Sequence, residues 1–468
     1  MVTVVLGFIR SVLLMRLLNP DDYGVVSLAL FFVAFVTPFS VLGIDSALIQ
    51  KKDPQKGDFS THFSLRLGLS IIILILGILA APLLRQLYHD QVMVVDVFLV
   101  LLVVNIIPAS SSTPGVVLRR EMRFGALAAL NLSASVAMTI VAPLLAFFGA
   151  GLWSLVAEQA TSQIVRWIGF WIVLRPWRPS LRFWKNKAKS LLQFGSRVLS
   201  SQLLGITLDR FDDFWTGTFL GPTALGYYSR AYEMATYPQR ILATPLTNVF
   251  FPTYAAVQDD IEILSKAFFR SSSFLVRVGF LFSVVLMATA PELTLILFGD
   301  KWLPIVPIFR MMLIYIFLNP LYINLSYLLM GVGQPGTLAH VRLVQVIIFV
   351  FTVILFAYYW RIRGVAIAAN IMMLIGTVAL LAISRRFVKF SLPRMFKWPT
   401  IATLLSGATG LVLISITQEL NPWFSLILKS FAIACIYCLT LYITERNMIL
   451  DYGSQIIQPL LRKVKFWS

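Results

Sequence analysis

The sequence predicts an all-α integral membrane protein of about 14 transmembrane helices, built as two six-helix lobes related by an internal repeat plus two C-terminal helices. Three observations lead there. Apolar stretches of roughly 20 residues alternate with short polar breaks along the chain, and a bilayer core of roughly 30 Å needs about 20 helical residues to cross it. Hydrophobic residues make up 58% and charged residues 13%, with a mean hydropathy of +0.83, where a soluble domain carries about 25% charged residues. Short motifs after the first and seventh stretches recur in the same order. A β-barrel is excluded, because its strands would alternate apolar and polar residues over about ten positions.

In order, the spans are approximately 2–18, 24–44, 62–86, 93–115, 125–148, 151–174, 190–219, 224–253, 268–290, 303–330, 338–359, 363–384, 398–417 and 422–443. The first is short and carries Arg10. It has no basic n-region or small-x-small cleavage site, so it reads as a span rather than a signal peptide. Leu18-Asn19-Pro20-Asp21-Asp22-Tyr23-Gly24 joins it to the second span. Leu220-Gly221-Pro222-Thr223-Ala224-Leu225-Gly226 joins the seventh to the eighth in the same pattern. A second match follows in each half. Phe124-Gly125-Ala126-Leu127-Ala128 opens the fifth span and Pro335-Gly336-Thr337-Leu338-Ala339 the eleventh, and Gly151-Leu152 and Gly364-Val365 open the sixth and twelfth. Duplication of a six-span unit explains this order and gives both copies one orientation, a parallel repeat of the transporter kind. The expected organisation is an N-terminal lobe over 1–174, a C-terminal lobe over 190–384, two additional spans within 398–443 and a basic tail over 444–468.

The net charge of +18 is not clustered as a nucleic-acid site. Lys and Arg crowd alternate breaks: Lys51, Lys52 and Lys56; Arg119, Arg120 and Arg123; Arg175 to Lys189; Arg385 to Lys397; and the tail. The intervening breaks hold few. This positive-inside asymmetry places the rich loops and both termini in the cytoplasm. Cys435 and Cys438 read as two small hydrophobes in an apolar span.

Charges inside spans are costly, about 2.5–3.5 kcal/mol each on insertion scales. The seventh span carries Asp209, Arg210, Asp212 and Asp213. Asp209 stands about 18 Å from the Gly221 turn, near mid-membrane. Asp209, Asp212 and Asp213 share one helix face. The repeat places Arg10 opposite Asp212. The eighth span adds Arg230, Glu233 and Arg240 with Tyr227, Tyr228 and Tyr232. For Arg66, Arg166, Arg197, Arg277 and Arg342, near cytoplasmic ends, ion pairs or snorkelling suffice. For Arg10, Asp209, Arg210 and Asp212, a water-filled cavity between the lobes is the better account. Arginine suits phosphate there through its bidentate fork, and tyrosines suit sugar rings. Asp209, Asp212 and Asp213 serve either as a lock, paired with Arg10 or Arg210, or as a coupling site for H+ or Na+.

No phosphate-binding loop or HExxH motif is present, and His62, His89 and His340 are scattered. The sequence therefore predicts neither an enzyme nor a cofactor or metal. Prolines 38, 108, 238, 245 and 320 fall inside spans, where they kink helices.

The chain resembles the polysaccharide transporter family of oligosaccharide-lipid flippases (Wzx-type), in its colanic and teichuronic acid exporter-like branch. That family lies in the superfamily of multidrug, oligosaccharidyl-lipid and polysaccharide exporters. The residues carrying the resemblance are Arg16 to Gly24, Gly43 with Ala47 to Asp53, Leu118 to Phe124, Phe219 to Pro222 with Gly226 to Tyr232, Phe251-Pro252 with Gln258-Asp259-Asp260, and Phe298 to Trp302. The resemblance implies a flippase that moves polyprenyl-diphosphate-linked oligosaccharide across the bacterial inner membrane by alternating access. It also implies a cationic cavity, a role that falls here on Arg10, Arg210, Arg230 and Arg240, and polymerase and glycosyltransferases as partners. The first span starts later than is usual in the family. Two rivals are an ion-coupled multidrug/toxin extruder-type antiporter, which the arginines disfavour, and a membrane scaffold for a polysaccharide synthase, which has no need of buried charge.

Overall fold

The computed structural model describes residues 2–417 and 419–452. Among them all regular structure is helical, without strands. The helices are α1 (Val2–Leu17), α2 (Pro20–Val41), α3 (Ile44–Gln50), α4 (Lys56–Leu87), α5 (Val92–Val104), α6 (Ile106–Arg120), α7 (Phe124–Phe147), α8 (Trp153–Ile168), α9 (Lys185–Trp215), α10 (Pro222–Pro238), α11 (Thr244–Ala256), α12 (Ile261–Phe298), α13 (Ile305–Met311), α14 (Leu313–Gly331), α15 (Pro335–Ser384), α16 (Leu392–Ile416) and α17 (Pro422–Tyr452). Every expected span falls on helix. α5 and α6 share the fourth span, α10 and α11 the eighth, and α13 and α14 the tenth. α15 holds the eleventh and twelfth, broken at Arg361, whose φ of 49° and ψ of −131° are not helical. Among the described residues, nine helical stretches are long and apolar enough to cross a membrane by length and composition. The basic tail residues Arg462, Lys463 and Lys465 and the side chain of Arg197 lie outside the described residues.

Local chemistry sets the helix starts. Pro20 pre-sets the first turn of α2, and the Asn19 N–H donates to Asp22 Oδ2 at 2.9 Å. The Gln55 N–H donates to Asp58 Oδ2 at 2.8 Å, and Asp260 Oδ1 accepts from the N–H groups of Glu262 and Ile263 at 3.0 Å each. Gly43, at φ 62°, allows the turn from α2 into α3.

The chain forms two compact units. One comprises Met1–Ala231 with Arg342–Ala368, the other Tyr232–Val341 with Ala369–Ser468. In the first unit, α3 buries Ile44 and Leu48 against Val116 of α6 and Leu191 of α9. Its other side carries Asp45, with Oδ1 3.1 Å from His62 Nε2 and Oδ2 accepting from Ser112 Oγ at 2.8 Å. Arg66 Nε lies 3.5 Å from Asp45 Oδ1, and Arg66 Nη1 donates to the Ser40 carbonyl at 2.7 Å.

In the second unit the core gathers Tyr254, Phe268, Leu321, Leu325 and Leu328. Asn324, fully buried, accepts from Tyr254 Oη at 2.9 Å and donates to Ser272 Oγ at 2.9 Å. α17 is joined to α12 by Arg277 and Glu445, with Nη2–Oε1 2.6 Å and Nε–Oε2 2.9 Å, and by Lys429 with Glu292. The final span is thus held by ion pairs sealed from lipid, the stitching expected of Arg277.

Candidate functional site

In the first unit the two Leu-x-Pro-x-x-x-Gly motifs meet. A Cβ on Gly24 would lie 1.8 Å from the Pro222 carbonyl oxygen, and a Cβ on Gly226 would lie 1.9 Å from that of Pro20. The contact is reciprocal, because residues 202 apart hold equivalent places in the two copies. Ser27 Oγ donates to Ser229 Oγ at 3.5 Å and Thr223 Oγ1 donates to Asp21 Oδ1, both pairs being 202 residues apart. α2 and the start of α10 therefore cross about a local two-fold axis that passes between these pairs. Only glycine lets the two backbones approach so closely.

α9 runs from this seam with the acidic cluster. Asp212, 3% exposed, accepts from Tyr228 Oη at 2.6 Å and from the Asp213 N–H at 3.1 Å. Asp213 Oδ2 accepts from Arg210 Nη1 at 3.0 Å. Asp209, exposed on the neighbouring turn, lies in the fields of Arg210 and Arg342. The Arg210 side chain is 46% exposed. Tyr228 is fully buried, so in this conformation its ring stacks on no ligand.

Arg10 does not meet Asp212. Its Nε lies 2.9 Å from Glu158 Oε1 of α8, and its Nη1 is buried without a hydrogen-bond partner among the described residues. The expected Arg10–Asp212 pairing is therefore replaced by an ion pair within the first six spans, between α1 and α8. Equivalent residues touch only beside the local axis. Arg10 lies on α1, about 10 Å along that helix from its end at Leu17, and the crossing at Gly24 and Gly226 is made by α2 and α10 instead. Glu158 was visible as the acidic residue of the sixth span, but nothing in its spacing pointed to Arg10. The Arg230 guanidinium sits over the Tyr23 ring at 4.6 Å. Tyr232 and Arg240 belong to the second unit, where Tyr232 Oη lies 2.7 Å from Tyr315 Oη and Arg240 sits 5.8 Å from the Tyr237 ring.

A helical membrane bundle with charges buried along its helices defines the class: a polytopic membrane protein with a transporter fold. The structure resembles "Lipid II flippase MurJ, inward closed conformation" with a TM-score of 0.79 at 15% identity, covering 96% of this chain and 98% of that one. It resembles an inward-facing multidrug resistance transporter of the MATE family, of the MOP superfamily, with a TM-score of 0.64 at 16% identity over 82% and 94%. The chain belongs to the polysaccharide biosynthesis protein family, whose model matches residues 13–307. It is 25% identical to the teichuronic acid biosynthesis protein TuaB of Bacillus subtilis over 58% of this chain and 56% of that protein, little more than half its length. It is 22% identical to the lipopolysaccharide biosynthesis protein WzxC of Escherichia coli over 80% and 76%. It is 26% identical to the succinoglycan biosynthesis transport protein ExoT of Rhizobium meliloti over 71% and 67%.

Proposed function

We propose that this protein is a flippase for polyprenyl-diphosphate-linked oligosaccharide, working across the bacterial inner membrane with both termini in the cytoplasm. Membership of the polysaccharide biosynthesis protein family carries this reading. The fold of a lipid II flippase is in keeping with it, and so are relatives named for teichuronic acid and lipopolysaccharide biosynthesis. The working parts are two repeat-related lobes, 1–174 and 190–384, with 398–443 as an added pair and 444–468 as a basic tail. The cargo's diphosphate meets Arg10, Arg210, Arg230 and Arg240, and its sugars meet Tyr228 and Tyr232 when they are uncovered in the cycle. Asp209, Asp212 and Asp213 act as lock or as coupling site for H+ or Na+, and polymerase and glycosyltransferases hand cargo on and off.

Arg210 supports a direct role best. Its side chain is half-exposed while Asp212 and Asp213 beside it are buried. Arg210→Ala should abolish polymer export in a strain lacking its own exporter, with unchanged membrane abundance. Arg210→Lys should recover only part, because an ammonium lacks the bidentate fork. Full export by Arg210→Ala would remove this residue from the site. The MATE-like fold keeps one rival in the test: drug extrusion by the native protein without polymer export would replace the flippase reading with an antiporter.

A further inference from the structure

A shallow groove of about 480 Å³ lies at the start of α9, lined by Phe183, Lys185, Ala188, Lys189, Leu192 and Gln193. Its composition is divided. Phe183 is 53% exposed, while Ala188 is buried and Leu192 half-buried, which gives an apolar floor. Lys185 and Lys189 stand one helical turn apart on the same face and are both exposed. The lysine between them turns away: Lys187 Nζ donates to Gln55 Oε1 at 3.0 Å and lies 3.5 Å from Asp58 Oδ2. No salt bridge joins Lys185 or Lys189 to a carboxylate among the described residues. Two like charges a turn apart repel, and cations in the first turns of a helix oppose its macrodipole. The adjoining chain is fixed in place, since the Trp184 N–H donates to Thr61 Oγ1 at 3.3 Å and Ser64 Oγ donates to the Arg182 carbonyl at 3.3 Å. Leu181 and Trp184 are exposed beside it, the aromatic and apolar flank of a membrane interface.

We propose that this groove binds one anionic phospholipid, with its phosphate between Lys185 and Lys189 and its acyl chain along Phe183 and Leu192. Charge complementarity selects an anion. The apolar floor beneath the two cations selects an amphiphile over a free phosphate or an acidic peptide. The position at the start of a membrane span supplies that amphiphile from the adjoining leaflet, where basic residues near the surface favour anionic lipid.

The test is native mass spectrometry of the purified full chain in detergent, titrated separately with phosphatidylglycerol and phosphatidylcholine. The native protein should retain phosphatidylglycerol in preference. Lys185→Gln/Lys189→Gln should weaken its retention roughly thirtyfold, since each lysine near a membrane surface contributes roughly fivefold. Lys389→Gln/Lys397→Gln removes the same charge from the second unit and should change retention less than twofold. Should the first double variant not fold, Phe183→Ser carries the test, weakening retention while leaving every charge in place. Equal losses in both double variants, or equal retention of the two lipids, would overturn the proposal. So would displacement of phosphatidylglycerol by equimolar polyprenyl diphosphate, which would make the groove a cargo site. The measurement requires no transport, so it stands or falls apart from the flippase reading.

Discussion

Replacing Gly24 by alanine tests the seam where the two motif copies cross. The new Cβ would sit 1.8 Å from the Pro222 carbonyl oxygen and 2.4 Å from its carbon. Ordinary van der Waals contact begins at 3.4 Å, so the helices must part by about 1.6 Å. Both obstructing atoms are backbone, and no side chain can rotate away. Overpacking of this kind costs about 1–3 kcal/mol, and the absence of a soft neighbour places Gly24→Ala at about 3 kcal/mol. Gly226→Ala, with its Cβ 1.9 Å from the Pro20 carbonyl oxygen, should cost the same. The decisive feature is the double variant. One separation of α2 from α10 relieves both clashes, so the combined loss should fall well short of the sum, the non-additivity of residues sharing a contact. Gly205→Ala is the control, because a Cβ there meets nothing within 4 Å; it should be neutral or stabilise α9 by up to about 1 kcal/mol. Unfolding of the four variants in detergent measures these losses. An independent reporter is the Ser27→Cys/Ser229→Cys pair, built where two Oγ atoms lie 3.5 Å apart. It should cross-link under oxidant, and Gly24→Ala should suppress the cross-link. A loss below about 0.5 kcal/mol for either single change, or strict additivity, would refute the close approach.

Two further predictions concern charges held inside the bundle. Arg277→Met should destabilise the second unit by about 3–5 kcal/mol by stranding Glu445, and Arg277→Met/Glu445→Leu should recover most of that loss; a single-variant cost under about 1 kcal/mol in the same unfolding assay would show the pair to be dispensable. On α3, burial pushes the Asp45 carboxyl up, but the His62 hydrogen bond, the Arg66 charge and the Ser112 hydroxyl hold it at about 2 against an ordinary 3.8. A folded value below the unfolded one stabilises above about pH 4 and is lost as pH falls toward 2. At 1.36 kcal/mol per unit this is roughly 2 kcal/mol. Asp45→Asn should therefore lower stability by about that much at pH 7 and by much less at pH 2, and equal losses at both would sink the argument.

Spans and breaks were legible in the sequence because insertion into lipid is decided along one dimension. A segment of about 20 apolar residues satisfies its own backbone as a helix whatever its neighbours are. The duplication was legible for the same reason, since Pro20 and Gly24 recur as Pro222 and Gly226 at fixed spacing. Equivalence in sequence does not establish contact in space. Ser27 meets Ser229 because both lie beside the local axis, whereas Arg10 and Asp212, equally equivalent, turn to Glu158 and Tyr228. Those partners come from helices whose rotation and crossing are set by packing, by glycine contacts and by the need to satisfy every buried charge. The sequence by itself determined which residues lie in the membrane and which of them are expensive there; the tertiary structure alone decided which groups offset that cost.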